Sequence, residues 1–294
     1  MNTSPLLRGS VYGIAAASLW GSLYVVSDVT LLSLPPFTLM SIRLGLALLV
    51  LLPLAWWRGL AKPDAPALLR MLAVGVLGIG ISLGAQFVGT DLSTAINGAL
   101  VTSASPAFVV LFAIIILRER LTIWRLIAIT LATAGVLAIL DPANADFASD
   151  TFLGDLFLAF AALTWGLYSA LVRLLSLRHP QPTLTVTVCA LLGGLLVSLP
   201  ASLLELSQRP LGPLDAGIVA GALYLGLVCT ALALLLWNRA FALVPASVAS
   251  LFFFAQPLSG AVLAVALLGQ PMSASLWLGG LLILGGLLLS LRAS

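Results

Sequence analysis

Ten apolar stretches, each long enough to cross a lipid bilayer, leave this chain almost nothing from which to build any other fold. They run over about 10–32, 36–57, 69–90, 95–117, 122–140, 152–174, 183–203, 214–237, 246–268 and 273–291. A helix rises about 1.5 Å per residue, so about 20 residues span the hydrocarbon of a membrane. Charged residues are 8% of the chain, against about 25% in a soluble domain. The expected fold is therefore all-α and integral to the membrane, with ten transmembrane helices, short loops and no separate soluble domain. The first stretch is too long for the core of a signal peptide and no cleavage site follows it, so it counts as a span.

The few charges fix an expected orientation. With the N-terminus in the cytoplasm, the inner segments hold Arg8, Arg58, Lys62, Arg70, Arg118, Arg120, Arg125, Arg173, Arg178, Arg239 and Arg292. Of the other basic residues, Arg209 falls outside and Arg43 within the second span. This is the positive-inside distribution, with both termini cytoplasmic and, in a bacterial cell, a multi-pass protein of the inner membrane. The longest outer loop, residues 141–146, is acidic. A net charge of +3, scattered along the chain, argues against nucleic acid as a partner. The lipid bilayer is the implied one, and monomer and homodimer are both open.

That loop divides the chain into residues 1–141 and 151–294, which read as two copies of one five-span unit. Trp20-Gly21 recurs as Trp165-Gly166, the run ending at Pro53 as the run ending at Pro200, Pro106 as Pro257, and Gly135 as Gly286. Five is odd, so the second copy enters the membrane upside down. Inverted repeats of this kind enclose a central cavity in secondary transporters.

Pro106 and Pro257 both fall in the middle of apolar spans. A proline inside a helix lacks an N–H and crowds the carbonyl four residues back. That frees the carbonyls of Thr102 and Phe253 at a depth where lipid offers no partner, so both bends should face protein or water. They are the expected hinges of an alternating-access transporter.

Taken together, Trp20-Gly21, Arg43 early in the second span, Pro106 and the Arg118-Glu119-Arg120-Leu121 turn resemble the EamA-type, ten-helix family of the drug/metabolite transporter superfamily. The likeness covers nearly the whole chain. The second half departs from it at Gln270, opposite Glu119, and at Ala190, opposite Arg43. Within the family the layout resembles bacterial amino-acid exporters, including the YddG-like aromatic amino-acid exporters. The resemblance implies export of a small metabolite or drug.

Counting inward from the span ends places Trp20, Tyr24, Ser82, Thr102 and Ser105 near the midplane, with Trp165, Tyr168, Tyr224, Phe253 and Gln256 from the second half. Trp and Tyr usually collect at the membrane interface, so midplane rings suggest a cavity wall for an apolar or aromatic solute. Helix packing is the plainer reading of the same rings. Arg43 lies within the membrane and has two readings: a magnet for a substrate carboxylate, or, the favoured one, a structural ion pair with Asp28, Asp91 being second choice.

No carboxylate or imidazole falls near the midplane, so transport without a buried proton carrier is expected. A phosphate-bearing substrate would call for several deep cations where only Arg43 qualifies. An uncharged or zwitterionic solute is therefore expected, with an aromatic or hydrophobic amino acid as the first candidate and other metabolites or drugs as the alternative. Cys189 and Cys229 fall inside spans and read as core residues, and His179 is in a loop. No metal, cofactor or catalytic set is expected, which leaves an integral membrane enzyme as a remote alternative.

Overall fold

The structure, a computed structural model, describes residues 4–60, 62–93, 98, 101–120, 122–140, 151–268 and 274–292. The acidic stretch 141–146, Leu121 and Gln270 lie outside these residues. The described chain is all-helical. Among the described residues six helices are long and apolar enough to cross a membrane: α1 (Pro5–Leu31), α2 (Pro36–Trp57), α3 (Ala65–Leu92), α6 (Phe152–Arg178), α7 (Thr183–Gln208) and α8 (Ala216–Leu243). Between and after them come α4 (Ser105–Leu117), α5 (Ile123–Leu140), α9 (residues 246–268) and α10 (Ala274–Arg292). Each falls on one of the ten expected spans, with α4 covering only the later part of the one expected over about 95–117. Several run past their apolar segment into polar residues such as Arg178 and Gln208, because a helix end exposed to headgroups and water needs no apolar cover.

The helices around the centre are broken, and this positions the site. In α1 a tight 3₁₀ turn spans Trp20–Ser22. Wide π-helical turns interrupt α3 at Val76–Ile81 and α8 at Leu225–Leu232. Residues Ser103 and Ala104 form a turn before α4, and α9 winds as 3₁₀ over Ser250–Phe254 before resuming at Ala255.

The two prolines are not mid-helix kinks. Pro106 stands in the first turn of α4, and Pro257 is the third residue of the segment Ala255–Leu268. The first N–H groups of a helix have no partner within it, so a proline costs nothing there. The chain breaks just before each proline instead of bending around it.

Glycine allows α1 and α9 to cross at their breaks. A Cβ at Gly21 would stand 2.7 Å from Gly260 N and 2.8 Å from Gln256 O. The crossing also satisfies polar backbone: Ser259 Oγ donates to Ser18 O (3.0 Å) and Gln256 Nε2 to Trp20 O (3.2 Å). Away from the centre, α5 and α10 pair through Gly135 against Gly279 and Ile283, and Gly286 against Ala128 and Ala132.

Each end of the bundle is tied by a carboxylate that caps a distant helix. At the Arg-rich end, Arg118 adopts a left-handed conformation (φ 56°) after α4, and Glu119 N donates to Ala113 O (3.1 Å). This turns Glu119 toward α9, where Ala246 N (2.8 Å), Ser247 N (3.1 Å) and Ser247 Oγ (2.6 Å) donate to its carboxylate. At the opposite end Glu205 accepts from Phe37 N (3.2 Å), Thr38 N (2.9 Å) and Thr38 Oγ1 (3.0 Å) at the start of α2. There too Arg209 pairs with Asp91.

Candidate functional site

A cavity lies among the breaks. Eight of the ten expected residues line it: Trp20, Tyr24, Ser82, Thr102, Ser105, Trp165, Phe253 and Gln256. They come from α1, α3, α6, α9 and the chain around the α4 break, so the interrupted helices supply most of the wall. Arg43 and Gln86, together with Thr230 of the α8 π turn, complete its polar lining.

Tyr168 and Tyr224 are not among the lining residues. Tyr168 is fully buried behind Trp165, with ring centroids 5.2 Å apart, and its hydroxyl donates to Asn238 Oδ1 (2.9 Å). Asn238 in turn donates to Thr187 Oγ1 (3.1 Å), so this chain ties α6, α8 and α7 together. Tyr224 shares a hydrogen bond with Ser22 (2.8 Å). Both tyrosines hold helices together instead of facing the cavity.

The cavity stops at a plug of rings. Trp237 is fully buried and lies against Trp20 (centroids 5.2 Å), Trp165 (6.2 Å) and Phe253 (5.3 Å), all three of which line the cavity while Trp237 does not. Phe241 stacks behind it at 4.9 Å, toward the Arg-rich end of α8. Edge-to-face and tilted geometries such as these are the preferred arrangements of aromatic pairs. Trp237 escaped the sequence reading because it stands two residues before Arg239, where a Trp looks like an interfacial anchor.

Above the plug, polar groups form a short relay. Gln86 Nε2 donates to Tyr24 Oη (2.8 Å), Tyr24 Oη to Thr102 Oγ1 (2.6 Å), and Thr102 Oγ1 to Gly98 O (2.6 Å). The relay joins α1, α3 and the segment before α4. Ser82 Oγ donates to Ala161 O (2.9 Å). Gln86 is a side chain the sequence reading missed, although it stands four residues after Ser82 and so shares its helix face.

The ion pair expected of Arg43 does not form. Asp28 is exposed on α1, and Asp91 is taken by Arg209. Arg43 is buried; its Nε donates to Thr230 Oγ1 (3.0 Å) and its guanidinium lies 4.8 Å from the centroid of Phe87. Asp28 and Arg43 are close along the chain, but the faces of α1 and α2 that carry them do not meet. Among the described residues there is no cluster of His, Cys, Asp or Glu fit to hold a metal, and Cys189 and Cys229 are free and buried.

The chain matches the EamA-like transporter family over residues 7–141 and again over 152–292. An uncharacterized transporter of Archaeoglobus fulgidus is 26% identical over 92% of this chain and 93% of the relative. The uncharacterized transporter YetK of Bacillus subtilis is 28% identical over 95% of this chain and 86% of its own. The uncharacterized inner membrane transporter YicL of Salmonella typhimurium is 26% identical over 96% and 94%. A solved crystal structure shares the fold with a TM-score of 0.80 at 22% identity, covering 96% of this chain and 95% of that one. The chain is a multi-pass membrane protein belonging to the EamA-like transporter family.

Proposed function

We propose that this transporter exports small metabolites by alternating access at the central cavity. Its two halves, residues 1–141 and 151–294, act as oppositely inserted five-helix repeats, and its Arg-rich end faces the cytoplasm. The observation that carries this reading is the convergence of broken helices from both halves on one cavity, plugged by rings on one side. Irregular backbone at membrane depth persists only where it is buried in protein or lines a cavity. The positions of the breaks support the repeat: π turns interrupt α3 and α8, and a break precedes the proline of both α4 and α9. Reciprocal packing supports it as well. Gly21 of the first half lies on α9 just after Pro257, and Gly166 of the second half lies on α4 just after Pro106.

The solute is a small molecule with an apolar or aromatic body, a class that includes the hydrophobic amino acids and the carboxylates and amines of similar skeleton. Support comes from the wall of Trp20, Trp165, Leu23, Leu83, Leu234 and Phe253. Counterflow in proteoliposomes loaded with a panel of amino acids, carboxylates, amines and sugars tests it. Saturable exchange of at least one apolar member is the expected result, and none across the panel defeats the reading.

Pro106 and Pro257 serve as hinges by stopping each helix from propagating back through its break. Pro106→Ala and Pro257→Ala should change stability by less than about 1 kcal/mol, since both residues occupy first turns. Counterflow should slow several-fold in each, with membrane insertion unaltered. Wild-type rates in both variants would remove the hinge role.

A further inference from the structure

Among the described residues Arg43 is a buried cation without a counter-ion. It is 2% exposed, its Nη1 has no partner among the described residues, and it lines the cavity. Thr230 Oγ1 accepts from its Nε and itself donates to Leu225 O (2.7 Å) inside the π turn. The lining includes no Asp or Glu.

A second unpartnered donor stands in the same wall. Trp20 and Trp165 occupy matching places in the two halves, but their indole N–H groups differ. That of Trp20 donates to Cys229 O (2.7 Å), whereas Trp165 Nε1 is buried without a partner among the described residues. A buried donor left unpaired is costly, and a buried charge left unpaired more so. Two such donors in one cavity call for a ligand that only accepts, and a carboxylate is the acceptor that offers two oxygens and cancels the charge.

We propose that Arg43 Nη1 and Trp165 Nε1 form a carboxylate-binding subsite, and that the preferred solute is an apolar or aromatic monocarboxylate without an ammonium group. This rests on the transporter reading and narrows its substrate. The occupied cavity is then electrically neutral. An amino acid brings the same carboxylate plus an ammonium that meets only amide and hydroxyl oxygens, with no carboxylate to pair it. An amine adds a second positive charge to the one Arg43 supplies.

Three probes on one skeleton separate these cases: 3-phenylpropanoate, phenylalanine and 2-phenylethylamine. Binding to the full-length protein in lipid nanodiscs is read by tryptophan fluorescence, with counterflow in proteoliposomes run in parallel. The acid is expected to bind at least about tenfold more tightly than phenylalanine, with no saturable signal from the amine. Arg43→Gln should weaken the acid by about tenfold or more and erase its advantage, and Trp165→Phe should weaken it by about fivefold while keeping the preference. If Arg43→Gln does not fold, Arg43→Lys carries the test, with the acid weakened and still preferred. Equal or tighter binding of phenylalanine or the amine overturns the subsite, as does unchanged acid binding in the Arg43 variants or no signal from any probe. Acid binding without counterflow leaves the subsite standing and removes the transporter reading. Counterflow of amines or sugars alone does the reverse.

Discussion

Gly166→Leu will destabilise the bundle by about 3 kcal/mol or more and abolish transport, because overpacking against fixed backbone exceeds the usual 1–3 kcal/mol range. A Cβ at this position would stand 2.7 Å from the carbonyl carbon of Phe108 and 2.8 Å from Val109 N. Those atoms are the backbone of α4 just beyond Pro106, so no rotamer change makes room. The helices must separate, and α6 carries Trp165 into the cavity wall one residue earlier. Gly21→Leu should fail in the same way against Gly260 N and Gln256 O. Gly45 and Gly285 have open space where a Cβ would go. Gly45→Ala and Gly285→Ala should therefore keep wild-type melting and transport. Thermal unfolding in detergent and counterflow are the measurements; a Gly166→Leu protein that melts and transports as wild type would mean that the crossing is not a rigid one.

The same positions show what could be read from the chain. Trp-Gly pairs stood out because an aromatic ring in mid-span is unusual, and the structure gives the glycine its reason in a backbone crossing. Residues placed near the midplane by counting mostly line the cavity, since depth depends only on rise per residue. Facing is harder. Tyr168 is three residues beyond Trp165, so it lies about 60° around the helix from it, enough to turn it from the cavity to Asn238. The breaks in α1, α3 and α8 contain glycine and no proline, and glycine is common enough in membrane helices that it does not by itself mark a break. They depend on partners far along the chain, such as Cys229 O for Trp20 and Gln256 for the Trp20 carbonyl. Proximity in sequence misled the reading of Arg43, whose neighbour Asp28 points away while Thr230, on α8, holds it. Glu119 and Glu205 were likewise invisible as caps, because each serves a helix in the other half.

Glu119→Ala will loosen the Arg-rich end of the bundle. The substitution removes the acceptor for Ala246 N, Ser247 N and Ser247 Oγ, and Ser247 is fully buried. Hydrogen bonds to a charged acceptor contribute about 1.5–3 kcal/mol each, and Glu119 is only part-buried, so water recovers some of the loss and the expected cost is about 2–4 kcal/mol. Arg125, which donates to Ser247 Oγ (3.0 Å), keeps that bond but loses the carboxylate beyond it. Glu119→Gln keeps the shape and gives up the charge, so its melting temperature should fall between wild type and Glu119→Ala. The larger effect is directional. Cys229 lines the cavity above the ring plug, and with Cys189→Ala it becomes the sole thiol. Its labelling by a membrane-impermeant maleimide from the Arg-rich side should rise in Glu119→Ala, because the start of α9 then swings free of α4 and the plug beneath Phe253 loses its support. Glu205→Ala weakens the opposite end and should leave labelling from the Arg-rich side at the wild-type level. Equal labelling in both variants would show that the carboxylates only stabilise the fold, and that the rings around Trp237 close this end without help from Glu119.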